Sequence, residues 1–159
     1  MSAPSGGGVG IANMISGGLG LHRLGAFAGV AAAALAIPVA WALHWIGGFP
    51  LVALAVVIGA AKVLWAAPRA QTPMVADRMV GQLTALSALS GGLWFAGVAP
   101  HIFPYPGWIG AFVMFNLFLH LPPIRRLSAL GPLWDDLAAG AAAAGVALVS
   151  AAISHGWLA

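Results

Sequence analysis

Apolar positions run through this chain in long blocks with no polar face, and short clusters of Gly, Pro and charged residues cut the blocks apart. The first block covers about residues 24–46 and ends at Gly47, Gly48 and Pro50, which predict a tight turn. Pro38 inside it is tolerated in a lipid-embedded helix, where neighbouring groups satisfy the carbonyl it frees. A second block, residues 51–67, stops at Pro68, and residues 69–73 read as a polar loop. The third covers about residues 79–98. Pro100, Pro104, Pro106 and Gly107 then make a rigid, uncharged connection to a shorter fourth block, residues 108–121, which Pro122 and Pro123 stop. The last covers residues 133–154, with Trp157 beyond it as an interfacial anchor. Blocks near the length that crosses a hydrocarbon core of about 30 Å predict an all-α polytopic membrane protein, a compact bundle of about five transmembrane helices.

Composition strengthens this picture. Apolar residues make up 62% of the chain and charged ones 6%, too few to cover a folded body with polar surface in water. Residues 1–20, rich in Gly and Ser, lack the charged and apolar regions of a cleavable signal and read as a flexible lead-in to a single domain over residues 21–159. The Gly-Gly-Leu-Gly run at residues 17–20 lacks the Lys-Ser/Thr end of a phosphate loop. Gly25 and Gly29, Gly91 and Gly92, and Gly140 and Gly145 are small residues that let helix backbones approach within lipid. Cysteine is absent, which excludes disulfides, thiolate catalysis and thiolate metal sites. No patch combining basic and aromatic residues in the manner of a nucleic-acid surface is present.

The few charges are ordered. Threading five spans from a cytoplasmic N-terminus puts Arg23, Arg69, Arg78, Arg125 and Arg126 on the cytoplasmic side and leaves the opposite loops without Lys or Arg, so the expected orientation is N-terminus in and C-terminus out. Lys62 is within snorkelling reach of the same face. Asp77 precedes the third span, and Asp135 and Asp136 open the fifth, so all three acids share that boundary. One such Asp alone reads as a helix cap or a dipole partner. Three together beside six cations point towards a site, since clustered carboxylates repel unless a divalent cation, Arg or Lys compensates them. Arg125 and Arg126 read either as a phosphate clamp or as charges that merely hold their loop in the cytoplasm. His44, His101 and His155 fall near the opposite face, where interfacial placement is the expectation. His22 and His120 lie on the charged side, and Asn116 and His120 share one face of the fourth helix, a spacing that most often serves contact between helices.

Three segments carry a resemblance. Asp135-Asp136-Leu137-Ala138-Ala139-Gly140 is similar to the Asp-Asp-x-x-Ala-Gly segment of the phosphatidylglycerophosphatase A family of bacterial inner-membrane lipid phosphatases. Asp77-Arg78-Met79-Val80-Gly81-Gln82 resembles that family's Asp-Glu-x-x-Gly segment, and Phe115-Asn116-Leu117-Phe118 with Pro123 and Ile124 gives a third match. The resemblance implies a magnesium-dependent hydrolase that removes the terminal phosphate of phosphatidylglycerol phosphate at the cytoplasmic leaflet. It further implies Asp77, Asp135 and Asp136 as ligands of Mg2+, with Asp77 and Asp136 catalytic, and Arg78, Arg125, Arg126 and Asn116 as the residues that hold the phospholipid substrate.

The chain departs from the family pattern at defined positions. Arg78 stands where the family has Glu, Asn116 where it has Arg, and Leu119 and Pro122 where it has Asp and Lys; the loop before Asp135 is shorter, and the family's Pro-Gly-Thr motif is Leu24-Gly25-Ala26 here. A carboxylate replaced by Arg78 changes the site by two charge units, so weak or absent turnover is the expectation. The alternatives are a lipid-head-group binder without turnover and, less favoured because only Lys62 nears the bilayer midplane, a small transporter.

Overall fold

The computed structural model describes residues 6–102 and 104–154, and every element among them is helical. The helices are α1 (Gly6–Ser16), α2 (Ala28–Ala66), α3 (Ala76–Phe95), α4 (Tyr105–Leu119), the single turn α5 (Pro122–Arg125) and α6 (Trp134–Ser154). Short 3-10 segments, Gly18–Phe27 and Arg126–Leu130, lead into α2 and towards α6. The stretch Gly18–Ala66 and α6 are long and apolar enough to cross a membrane, and α4 with Pro122–Leu130, bent by 68°, makes a third candidate if the pair is one span. Trp157 and His155 lie outside the described residues.

At 39 residues, α2 would be about 58 Å long if straight, nearly twice the hydrocarbon thickness of roughly 30 Å. It is not straight. Gly48 sits at φ 65°, ψ −160°, a conformation open essentially to glycine alone. Side-chain neighbours show the reversal there: Gly29 lies against Arg78 at the start of α3, Gly48 abuts the Trp94 indole at its end, and Gly59 and Val63 are back beside Val80. The turn predicted at Gly47, Gly48 and Pro50 is therefore present, and α2 is a helical hairpin wrapped on α3. α4 runs against α3, since Gly107 meets Leu89 and Phe115 meets Gly81, whereas α6 runs with it, since Asp136 meets Gly81 and Gly140 meets Thr84.

The long helix α2 carries small residues on its inner face and large ones on its outer face. Ala28, Ala32, Ala33, Ala36 and Ala40 of α2 are buried, while Val30, Leu35, Val39, Trp45 and Ile46 of the same helix are exposed. Lipid accepts the large side chains, and the small ones let backbones meet. Gly29, Gly91 and Gly140 each face a neighbouring helix, but Gly25, Gly92 and Gly145 have open space where a Cβ would go, so one glycine of each predicted pair serves packing.

Two expectations are corrected. Gly6–Ser16, predicted as a flexible lead-in, is a helix whose Ala12 and Ser16 are buried; Ser16 shares a hydrogen bond with Thr72 (3.0 Å), and the Gln71 amide donates to Asn13 Oδ1 (2.7 Å). The apolar run Ile11-Ala12-Asn13-Met14-Ile15, with polar groups that find partners in the 71–72 loop, overrides the glycine content. His44, expected at an interface, is 1% exposed inside the bundle, its Nδ1 2.8 Å from Ser90 Oγ. A buried polar group needs such a partner, and the sequence spacing between α2 and α3 gave no sign of it.

Candidate functional site

All the acids lie at one end of the bundle, where α3 and α6 begin and α4 ends. The crossing of α3 and α6 is unusually close: a Cβ on Gly81 would stand 2.6 Å from the Asp136 carbonyl oxygen, and one on Gly140 would overlap the Gly81 carbonyl. Leu133, at φ 90° and 2% exposed, packs with Val63 and Val80 and sets the start of α6. Arg78 precedes Gly81 by three residues and Asp136 precedes Gly140 by four, so each charged residue shares a helix face with its glycine.

That register brings Arg78 and Asp136 together. Arg78 Nη1 donates to Asp136 Oδ1 at 3.0 Å, with Asp136 1% exposed and Arg78 one-third exposed. Asp136 Oδ2 is buried and has no hydrogen-bond partner among the described residues. The Asp77 carboxylate accepts from the Arg78 backbone N–H at 2.8 Å.

A cavity of about 440 Å³ opens beside the pair. Its polar wall is Arg78, Asn116, His120, Arg125, Ser128 and Asp135, and Gly29, Val30 and Leu119 form an apolar side. The volume falls in the range of small-ligand sites, about 300–1,000 Å³. Asn116 Nδ2 donates to Phe112 O within its own helix (2.8 Å), so the Asn116–His120 face is turned to the cavity rather than used to bond a neighbouring helix. Arg126 and Asp77 are not among the cavity's lining residues, and Arg126 is exposed. Arg69, also a cation of this end, lies over the Trp65 ring at 4.8 Å.

The three carboxylates interact electrostatically, but among the described residues no group of three His, Cys, Asp or Glu side chains is placed to hold a metal ion. The most buried carboxylate is taken by a guanidinium. As arranged, Asp77, Asp135 and Asp136 do not fit the magnesium centre that the resemblance implies. The resemblance sets Arg78 towards the phosphate and gives no sign of its pairing with Asp136; the available signal was a glycine one helical turn after each charge, three residues on from Arg78 and four from Asp136. The chain matches no protein-family model, no curated protein and no solved structure.

Proposed function

We propose that this chain is a multi-pass membrane protein of phospholipid metabolism, crossing the bacterial inner membrane five times with its charged end in the cytoplasm, and that this end receives the phosphomonoester head group of a phospholipid. Phosphatidylglycerol phosphate is the substrate that the resemblance supplies, and slow hydrolysis of its terminal phosphate is the reaction. The observation that carries the reading is the cavity at the charged end, where Arg78 and Arg125 share a wall with Asn116, His120 and Ser128. Guanidinium groups match phosphate oxygens in a two-pronged fashion, and the excess of six cations over three acids favours an anionic ligand. Five traverses, from the α2 hairpin, α3, α4 and α6, agree with the distribution of basic residues.

In hydrolysis a water oxygen bonds to phosphorus, the bond from phosphorus to the glycerol oxygen breaks, and a proton passes to the leaving oxygen. Asp135 and His120 are the cavity's titratable groups besides the arginines, and in this reading they move those protons. Head-group binding without turnover is the second reading, favoured by the Arg78–Asp136 pair, which occupies a carboxylate that the resemblance gives to catalysis. Magnesium enters as an expectation of the resemblance alone.

Phosphate release from purified protein, offered phosphatidylglycerol phosphate, phosphatidic acid and soluble phosphomonoesters with magnesium or with chelator, tests the proposal. Slow release confined to the lipid monoesters is expected. Equal release from soluble esters would sink it, and tight retention of the lipid with no release would select the binding reading.

A further inference from the structure

The positive charge that a bound divalent cation would bring to this end of the bundle is already part of the chain. The close crossing at Gly81 and Gly140 leaves Asp136 too buried to stand as a lone carboxylate, and Arg78 Nη1 meets it at 3.0 Å. A cation approaching Asp136 would therefore meet a fixed guanidinium. Arg78 is not used up by this contact: of its five N–H donors, one goes to Asp136 among the described residues, and the one-third-exposed side chain also forms part of the cavity wall with Arg125. Its stem lies over Gly29, 3.4 Å from where a Cβ would be, so the guanidinium is held at the junction of α2, α3 and α6.

We propose that Arg78 takes the place of the metal: it neutralises Asp136 permanently and, with Arg125, holds the phosphate of a phosphomonoester lipid, so that the ligand binds without a divalent cation. The inference rests on the head-group reading above and adds metal independence to it. Magnesium is held by one or two carboxylates together with phosphate oxygens, and a guanidinium supplies both the positive charge and the phosphate donors.

The full-length protein in phosphatidylcholine nanodiscs is titrated with dioctanoyl phosphatidylglycerol phosphate in chelator and in magnesium. Wild type should bind with affinities that agree within about twofold in the two conditions, whereas Arg78→Glu should lose about tenfold or more in chelator and recover most of it in magnesium. Because Arg78→Glu places two carboxylates together at a buried site, the neutral pair Arg78→Gln/Asp136→Asn serves as a second variant. It removes both charges of the pair and should bind weakly in both conditions. Wild-type binding that needs magnesium would overturn metal independence and leave the head-group reading standing. Wild-type affinity of the neutral pair in chelator would overturn the role of Arg78 and likewise leave the head-group reading standing. Binding in neither condition would overturn the head-group reading itself.

Discussion

Replacing Gly140 by alanine should weaken the fold far more than one methyl group suggests. The added Cβ would stand 3.0 Å from Thr84 Cβ and 3.2 Å from the Gly81 carbonyl carbon, and would overlap the Gly81 carbonyl oxygen. Non-bonded carbons rest about 3.5–4.0 Å apart, so α3 and α6 would have to part by roughly half an ångström or more. Part of the obstacle is backbone, which cannot swing away as a flexible side chain would. Overpacking of this kind costs about 1–3 kcal/mol. Alanine's better helix propensity works against that loss by up to about 1 kcal/mol, so a matched control is needed. Gly145 supplies it: it lies in the same helix and has nothing within 4 Å of the equivalent Cβ. The propensity gain cancels between Gly140→Ala and Gly145→Ala, and equilibrium unfolding in mixed micelles should separate them by the overpacking cost itself, about 1–3 kcal/mol. Head-group affinity should fall in Gly140→Ala as well, since Asp136 lies one turn before it and would be drawn off Arg78. Equal stabilities, or a more stable Gly140→Ala, would refute the close crossing of α3 and α6.

Removal of the two partners of the ion pair should be unequal in effect. Arg78→Leu strands a carboxylate that is 1% exposed, whereas Asp136→Asn leaves an arginine already one-third exposed; against about 3–5 kcal/mol for breaking a buried pair, discounted for that exposure, roughly 2–3 kcal/mol is expected for the first and less for the second by unfolding in micelles. Equal losses would contradict the burial of Asp136. Ser90→Ala should cost about 0.6–1.7 kcal/mol by removing the partner of buried His44, and a neutral result would argue against that contact. The absence of cysteine makes single-cysteine labelling clean: from outside spheroplasts, a cysteine at Tyr105 should react and one at Gln71 should not, and the reverse pattern would invert the proposed orientation.

The block pattern of the chain made the helices legible because lipid-facing segments need no polar stripe and end at Gly, Pro and charge. The break at Gly48 was readable for the same reason, since glycine and proline clustered there have little use except a reversal. Boundaries shifted by two or three residues: the third helix begins at Ala76, with Asp77 in its first turn, rather than near residue 79, and the fourth is Tyr105–Leu119, with Pro106 in its first turn, rather than residues 108–121. The convergence of Asp77, Asp135 and Asp136 on one end followed from threading alternate spans. What each charge does was not readable, because it depends on which residues of α3 and α6 face one another, a relation set by Gly81 and Gly140 across more than fifty residues of chain. His44 escaped for a similar reason: nothing local announces a partner on another helix.

The claim that this end of the bundle takes a phospholipid by its phosphomonoester is tested most directly by what the protein holds when it leaves a mixed bilayer. Protein reconstituted with equal amounts of phosphatidylglycerol phosphate and phosphatidylglycerol, then released into native mass spectrometry, reports the bound lipid without requiring turnover. Clear enrichment of the phosphomonoester is expected, lost in Arg125→Gln, which removes a cavity cation, and kept in Arg69→Gln, which removes one stacked on Trp65 outside the cavity. Equal retention of the two lipids by the wild type, or an enrichment that survives Arg125→Gln and disappears in Arg69→Gln, would contradict it.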